Sequence, residues 1–349
     1  MNAFYPQLTG KALLVSDMHL GISDPNLRDL DNLKLDNLDL VLRRHFDATM
    51  IQDLGDGADS RILRPELLER LCKTYAQIAY HGMKRLFVLV GNHEGTKREI
   101  APLSPFIIGT RTAENGANLV TDEGIIAPPF FMRGWAGDIL PPPASVTGCR
   151  FFSGHLRVRD WLPSGAKGVT LDELADLGYE AIFLGDFHQP VSVNHNGCHI
   201  HSIGTFGASS WRDTDIQSGY VFVTWDEDTY EAERIAFDSY PVFKKVKINA
   251  GDDLPDLQNS VVRVFLSSPE PIPSEVIKDY KARITEQKPF YFEIHTNDTS
   301  IIQDTVHTDA DRQIEAEINQ WPSGSRTLLG QFFSESKSQQ IPINWSDWR

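Results

Sequence analysis

A chain of 349 residues with 41% hydrophobic and 23% charged side chains suits one large globular domain with a smaller appendage. Cys72, Cys149 and Cys198 are too few and too scattered for a disulfide framework. No run approaches the roughly 18 apolar residues of a membrane span, and Met1-Asn2-Ala3-Phe4-Tyr5-Pro6 lacks a charged-then-apolar signal pattern, so the expected compartment is a reducing cytoplasm, that of the host if the chain is phage-encoded. The formal net charge of −15 speaks against nucleic-acid binding through a broadly basic surface.

In chain order, Ala12-Leu13-Leu14-Val15 reads as a buried strand. Residues 33–46 form a helix with an apolar stripe at Leu35, Leu38, Val41, Leu42 and Phe46. A strand at 49–52 follows, then a helix opened by Pro65, running to 80 and closed by Gly82, and a strand at 87–90. This alternation predicts half of a layered α/β sandwich. Residues 101–148 are proline-rich and read as loops joining short strands around Phe130-Phe131-Met132. A strand at 151–153 precedes a helix over 170–177, capped by Thr170 with Glu173 three residues on, which feeds a strand at 181–184. Asn196-Gly197 marks one hairpin, and a second joins 220–225 to 230–237 through Asp226-Glu227-Asp228. Beyond 245, a strand at 261–266, a helix at 273–284 and a strand at 290–294 make a β-α-β piece too short for a second catalytic domain. The expected organisation is a catalytic domain over 1–245, a small α+β cap over 246–305 and a C-terminal helix and tail over 306–349. The aromatics Phe332, Phe333, Trp345 and Trp348 offer that tail as a docking segment.

Five of the predicted strands end in metal-type side chains. They deliver, in order, Asp17 and His19; Asp56; Asn92 and His93; His155; and Asp186 and His188. Open α/β sheets bind ligands at this carboxyl edge. The mixture of carboxylate oxygens, imidazole nitrogens and one amide suits Mn²⁺, Fe²⁺ or Zn²⁺, is too rich in nitrogen for Ca²⁺ and lacks the thiolates of structural zinc. Two such ions about 3.5–4 Å apart would clamp both oxygens of an in-line displacement at phosphorus, with a hydroxide between them as nucleophile. His93 follows a ligand and reads better as the acid that serves the leaving oxygen. Asp53 competes with Asp56 for the bridging place, and the Gly55-Asp56 string with Asp59 after it favours Asp56. The basic residues Lys97, Arg98, Arg157, Arg159 and Arg212 fall beside the motifs and are candidate substrate contacts. His195, His199 and His201 with Cys198 read as decoration of the hairpin rather than a second metal site, and His45, His81, His295 and His307 as no ligands at all.

The strings Asp17-Met18-His19, Gly55-Asp56-Gly57-Ala58-Asp59, Gly91-Asn92-His93-Glu94, Gly154-His155 and Gly185-Asp186-Phe187-His188 resemble the motifs of the calcineurin-like metallophosphoesterase superfamily. The resemblance implies a four-layer α-β-β-α sandwich. It also implies one metal held by Asp17, His19 and His188, another by Asn92, His155 and Asp186, and Asp56 bridging them. Asp186 stands where that family usually has His, which bears on metal preference at the second position. The layout from His201-Ser202-Ile203-Gly204-Thr205 through Glu233-Arg234-Ile235 to Ser239-Tyr240-Pro241-Val242-Phe243, with the small cap after it, is similar to the SbcD-type DNA repair exonucleases. That branch implies a Mn²⁺-dependent exonuclease and endonuclease (Mg²⁺, Fe²⁺ or Zn²⁺ being the other ions considered) that serves DNA repair and recombination. Its implied partners are DNA, an SMC-like ATPase of the SbcC type and a second copy of the chain, with no membrane. Two rivals stand beside it. A phosphoesterase acting on a nucleotide or cyclic nucleotide suits the acidic charge, whereas a scaffold with a decayed site would show ligands lost to apolar residues.

Overall fold

The computed structural model describes residues 9–59, 63–81, 85–93, 117–296 and 301–304. Its centre is a pair of six-stranded sheets. The first has the order β12-β11-β1-β2-β3-β4, where β1 is Gly10–Val15, β2 Met50–Asp53, β3 Arg85–Leu89, β4 Ala117–Val120, β11 Gly219–Trp225 and β12 Tyr230–Ala236. The second has the order β5-β6-β7-β8-β10-β9, with β5 Ile125–Ala127, β6 Phe130–Arg133, β7 Phe151–His155, β8 Ala181–Gly185, β9 Val191–His195 and β10 Cys198–Ser202. Strands β1 to β4 run parallel, as do β6, β7, β8 and β10, so both sheets send their carboxyl ends the same way along the chain.

The alternation of side chains along each strand builds three cores. Ala12, Leu14, Phe87 and Leu89 of the first sheet meet Phe130, Phe151 and Phe183 of the second in the space between them. Leu13, Val15, Ile51 and Val88 face outward against α1 (Asp29–Arg44) and α2 (Pro65–His81). On the far side, Phe152, Ile182, Leu184 and Ile200 are covered by Leu174, Leu177 and Tyr179. The outer layer there is thin: α3 (Ala144–Thr147), α4 (Leu171–Ala175) and the loops around them. The architecture is therefore the expected α-β-β-α sandwich, with one slight outer layer.

Local chemistry explains most boundaries. Thr170 accepts from the Glu173 backbone and Glu173 reaches back to Thr170, the predicted capping box. Asn196 and Gly197 both take positive φ, as a two-residue hairpin requires. α1 departs from the stripe read over 33–46. It begins four residues earlier, because Asp31 anchors its first turn by accepting from the Gly21 and Ile22 amides, and it ends before Phe46, which is exposed.

A third sheet, β13-β14-β15-β16, follows the sandwich, formed by Val242–Asn249, Ser260–Ser267, Tyr291–Thr296 and Ile301–Asp304. One face joins the core around Phe243, Val261 and Tyr291, and α5 (Ser274–Glu286) covers the other through Tyr280 and Ile284. β13 starts at Val242, so the strand opening this sheet runs across the boundary expected at 245/246. The sandwich and β13 to β15 belong to one compact unit, Met1–Ile302, and a second unit starts at Gln303, within β16. The expected tail over 306–349 lies outside the described residues. Among the described residues no helix is long and apolar enough to cross a membrane.

Candidate metal centre

Every residue expected as a ligand sits at the carboxyl end of a parallel strand: Asp17 and His19 after β1, Asp56 after β2, Asn92 after β3, His155 closing β7, and Asp186 and His188 after β8. Donor atoms of Asp17, His19 and His188 lie within 4.8 Å of one another, as do those of Asp17, Asp56 and His155, and those of His19, Asp56 and His93. The backbone is bent to achieve this. Asp17, His19, Asp56 and Asp186 all have positive φ, at 53°, 45°, 53° and 80°. A non-glycine residue there costs of the order of 1–3 kcal/mol, whereas a fully buried Leu or Phe contributes about 1.5–3 kcal/mol. The cores above can thus carry four strained residues at one edge. Gly91 is required for a different reason, since a Cβ there would fall 2.0 Å from Asp56 Oδ1.

The hydrogen bonds of the three histidines turn their Nε2 atoms inward. His19 Nδ1 lies 3.2 Å from Asp59 Oδ1, His188 Nδ1 2.6 Å from Asp213 Oδ1, and His155 Nδ1 2.8 Å from the Leu54 carbonyl. Each partner only accepts, so each Nδ1 carries a proton, and in the neutral ring each Nε2 presents a lone pair to the cleft. His19 Nε2 and His188 Nε2 then face each other at 3.0 Å, with Asp17 Oδ1 3.8 Å from both. A few ångströms away Asn92 Oδ1 lies 2.9 Å from His155 Nε2, 3.0 Å from Asp186 Oδ1 and 3.2 Å from Asp56 Oδ2. Turning the Asn92 amide by 180° would supply donors, the arrangement suited to an ion-free site; oxygen inward is the one suited to a cation. The imidazole nitrogens and carboxylate oxygens that converge here, donor atoms within 4.8 Å in each group of three, fit divalent cations.

Charge is what the cluster otherwise balances with protons. Burial opposes an imidazolium at His155, yet Asp56, Asp17 and Asp186 outweigh it and hold the ring's pKa up to about 10. Burial likewise opposes His188, which Asp213 and Asp17 raise to about 9. Asp17, fully buried, is pushed above the usual carboxylate range by desolvation, while at Asp56 the cost of burial is overcome by His155 and His19 and its carboxyl stays well below that range. His93 is exposed and its pKa rises to about 9 because Asp59, 3.2 Å from Nδ1, stabilises the cation. Asp53, the other candidate for the bridging place, is engaged elsewhere. It is buried, takes a 2.5 Å bond from the Tyr75 hydroxyl and one from the Gly55 amide, and desolvation raises its pKa to about 7.

The cluster opens into a cleft of about 760 Å³. Asp56, Asn92, His93, Asp186 and His188 form its polar floor, Leu162, Pro163, Phe187 and Ile216 an apolar wall, and Arg157, Lys167 and Arg212 its cations. Phe187 stacks on Trp161 with ring centroids 5.6 Å apart, which keeps the wall in place.

No family model matches the sequence, and no curated protein matches it. Among solved structures, a predicted phosphoesterase of Streptococcus pneumoniae overlaps at a TM-score of 0.31 and 12% identity, covering 65% of this chain and 90% of that one. A Thermus thermophilus protein overlaps at 0.39 and 8% (65% and 99% covered), and an archaeal phosphodiesterase at 0.35 and 9% (64% and 99%). Overlaps this loose carry no weight, and the case for function stands on the donor cluster itself.

Of the expected substrate contacts, Arg157 and Arg212 line the cleft. Arg159 is exposed on the turn Arg159–Trp161 and does not line it, and Lys97 and Arg98 lie outside the described residues. The hairpin histidines are used elsewhere: His195 pairs with Asp172, His199 meets the Tyr230 hydroxyl, and His201 stacks on Phe183. Asp213 and Lys34 were not legible beforehand. Asp213 orients His188 from 25 residues away, and Lys34, fully buried in α1, donates to the His19 carbonyl and to Ser209 Oγ. No spacing rule connects either to the motif it supports.

Proposed function

We propose that this chain is a metal-dependent phosphodiester hydrolase of the calcineurin-like type, acting as an SbcD-like exonuclease and endonuclease on DNA with Mn²⁺ as the preferred ion. The observation that carries the hydrolase reading is the convergence of two donor clusters at neighbouring strand ends, Asp17 with His19 and His188 and Asp17 with Asp56 and His155, the donor atoms of each within 4.8 Å of one another. Buried carboxylates and imidazoles converge in this way where protons, or metal ions in their place, balance the charge. In this reading Asp17, His19 and His188 hold one ion, Asn92, His155 and Asp186 the other, and Asp56 bridges. Two bound ions would polarise the phosphoryl oxygens and lower the pKa of water.

The remaining work belongs to the chain. Arg212 meets the non-bridging phosphate oxygens, Arg157 is held on Asp186, and the wall at Leu162, Pro163 and Phe187 keeps water from one side. His93, protonated at neutral pH and held by Asp59, gives its proton to the leaving oxygen. Lys167 and Arg212 at the cleft favour a polyanion. The net charge of −15 and a cleft volume within the range of small-ligand pockets favour the second reading, a phosphodiesterase or phosphatase for nucleotides. An SbcC-type ATPase and a second copy of the chain, as partners, belong to the DNA reading, and the segment expected to dock the ATPase lies outside the described residues.

A panel of linear duplex DNA, single-stranded DNA, cyclic nucleotides and bis-p-nitrophenyl phosphate, each with Mn²⁺, Mg²⁺ and Zn²⁺, separates the readings. DNA cleavage supports the nuclease, and hydrolysis confined to small esters supports its rival. Absence of metal-dependent hydrolysis across the panel refutes both.

A further inference from the structure

We propose that Arg157 is a positioning residue that makes Asp186 behave as a single-donor, charge-neutral ligand, and so sets which metal the second position prefers. The inference rests on the two-metal reading. Both oxygens of Asp186 are engaged by one guanidinium: Arg157 Nε donates to Oδ2 and Nη2 to Oδ1, each at 3.2 Å. The same Oδ1 is the atom that faces the second position, 3.0 Å from Asn92 Oδ1 and 3.9 Å from His155 Nε2.

The guanidinium is itself held. It lies over the Trp135 ring at 5.4 Å, and that ring meets the edge of His155 at 5.9 Å. Trp135 is fixed by its amide, which bonds the Val90 carbonyl at 2.6 Å. The backbone of Arg157 is pinned by the Val169 amide on its carbonyl and by the bridge between Val158 and Val169. Arg157, Trp135 and His155 thus form one stack beside Asp186, and the fork has little freedom to leave it.

The chemistry follows from counting donors and charge. An imidazole offers one lone pair and no charge. A free carboxylate offers two oxygens and one negative charge, and it suits harder ions of higher coordination number. With the fork holding the carboxylate plane, Oδ1, which faces Asn92 and His155 and keeps a lone pair beside its bond from Nη2, is the oxygen offered to an ion, and the guanidinium charge offsets that of the carboxylate. Asp186 and Arg157 together therefore present what one imidazole would present alone.

The test is the ratio of Zn²⁺ to Mn²⁺ affinity at the second position, measured by competition titration with calorimetry and metal counting on the full chain. A ratio is the right readout, because the lost positive charge acts equally on two divalent ions whereas a change in the number of oxygens offered does not. Arg157→Ala should free the second oxygen and lower the ratio by about 10-fold or more, within the 10–100-fold range seen when partners of metal ligands are removed. Arg157→Lys keeps the charge but lacks the fork, and should lower it nearly as much. In an Asp186→His background, Arg157→Ala should leave the ratio unchanged. Arg157 is partly exposed, and a melting curve on each variant checks folding. Two ions in the wild type with an unchanged ratio in both Arg157 variants would overturn the role of Arg157 alone. An equal shift in the Asp186→His background would overturn it too, since the effect would then not pass through Asp186. A wild-type chain that binds fewer than two ions removes the two-metal reading and this proposal with it.

Discussion

Replacing Asp213 by Asn changes one atom in a place where the hydrogen bonds allow only one outcome. Asp213 is buried. Its Oδ1 holds His188 Nδ1 at 2.6 Å, and Oδ2 accepts from the Ser209 and Ser210 amides at 2.9 and 3.1 Å. Asparagine has a single oxygen, which must stay on the two backbone donors because an NH₂ group there would face N–H against N–H. The NH₂ therefore meets His188 Nδ1, which can only accept, and the ring proton moves to Nε2, the atom that faces the cleft. The fold should survive, since the loop bonds at 209 and 210 are kept. Partners of metal-binding histidines are typically worth about 10–100-fold in affinity, or about 1.4–2.8 kcal/mol. Mn²⁺ titration by calorimetry should show one site close to wild type and the other weaker by that factor. If both ions bind as tightly as in the wild type, then Asp213 does not set the tautomer of His188, and the assignment of His188 as a ligand loses its main geometric support.

His93→Ala should keep both ions yet slow DNA cleavage by roughly 10²–10⁴-fold, and slow bis-p-nitrophenyl phosphate far less because p-nitrophenolate leaves without a proton; equal losses on both substrates would contradict the acid role. Asp186→Ala should lose the second ion while Asp186→His retains it, and metal counting on the purified variants would expose the opposite result. Metal binding near pH 7 should release protons, because His155 and His188, with pKa values of about 10 and about 9 in the ion-free cluster, must deprotonate to bind; calorimetry in two buffers of different ionisation enthalpy reads the number, and zero release would refute it. Since both values are raised from 6.5, the stability these rings lend the ion-free protein is full below that pH and lost as pH climbs through 9 to 10, so its melting temperature should fall across the window. Lys34→Met removes a buried ammonium from the His19 carbonyl and Ser209; Asp31 keeps Arg64 and two amides, so thermal or urea denaturation should show a loss of only about 1–3 kcal/mol.

The amino-acid order alone determined the strands and the residues at their ends. A run such as Ala12-Leu13-Leu14-Val15 followed by Ser16-Asp17 specifies a strand and its carboxyl-end side chain locally, through hydrophobic period and chain order. For that reason the strand-end places of the seven candidate ligands and the hairpin at Asn196-Gly197 are legible in the sequence. Local signals also misplaced what depends on distant partners. α1 starts at Asp29 because Asp31 binds the 21–22 loop, and Phe46 lies outside the apolar stripe because the helix ends first. Arg159, two residues from Arg157, is exposed and does not line the cleft although the two look alike in sequence. Only the tertiary structure decided that Asp213, Asp59 and the Leu54 carbonyl fix the three histidine tautomers, and that Arg157 pairs with Asp186. Those relations join residues 25 to 101 positions apart. A strand end is a property of its own neighbours, but the direction of a proton on an imidazole is set by whatever group the fold brings to its other face.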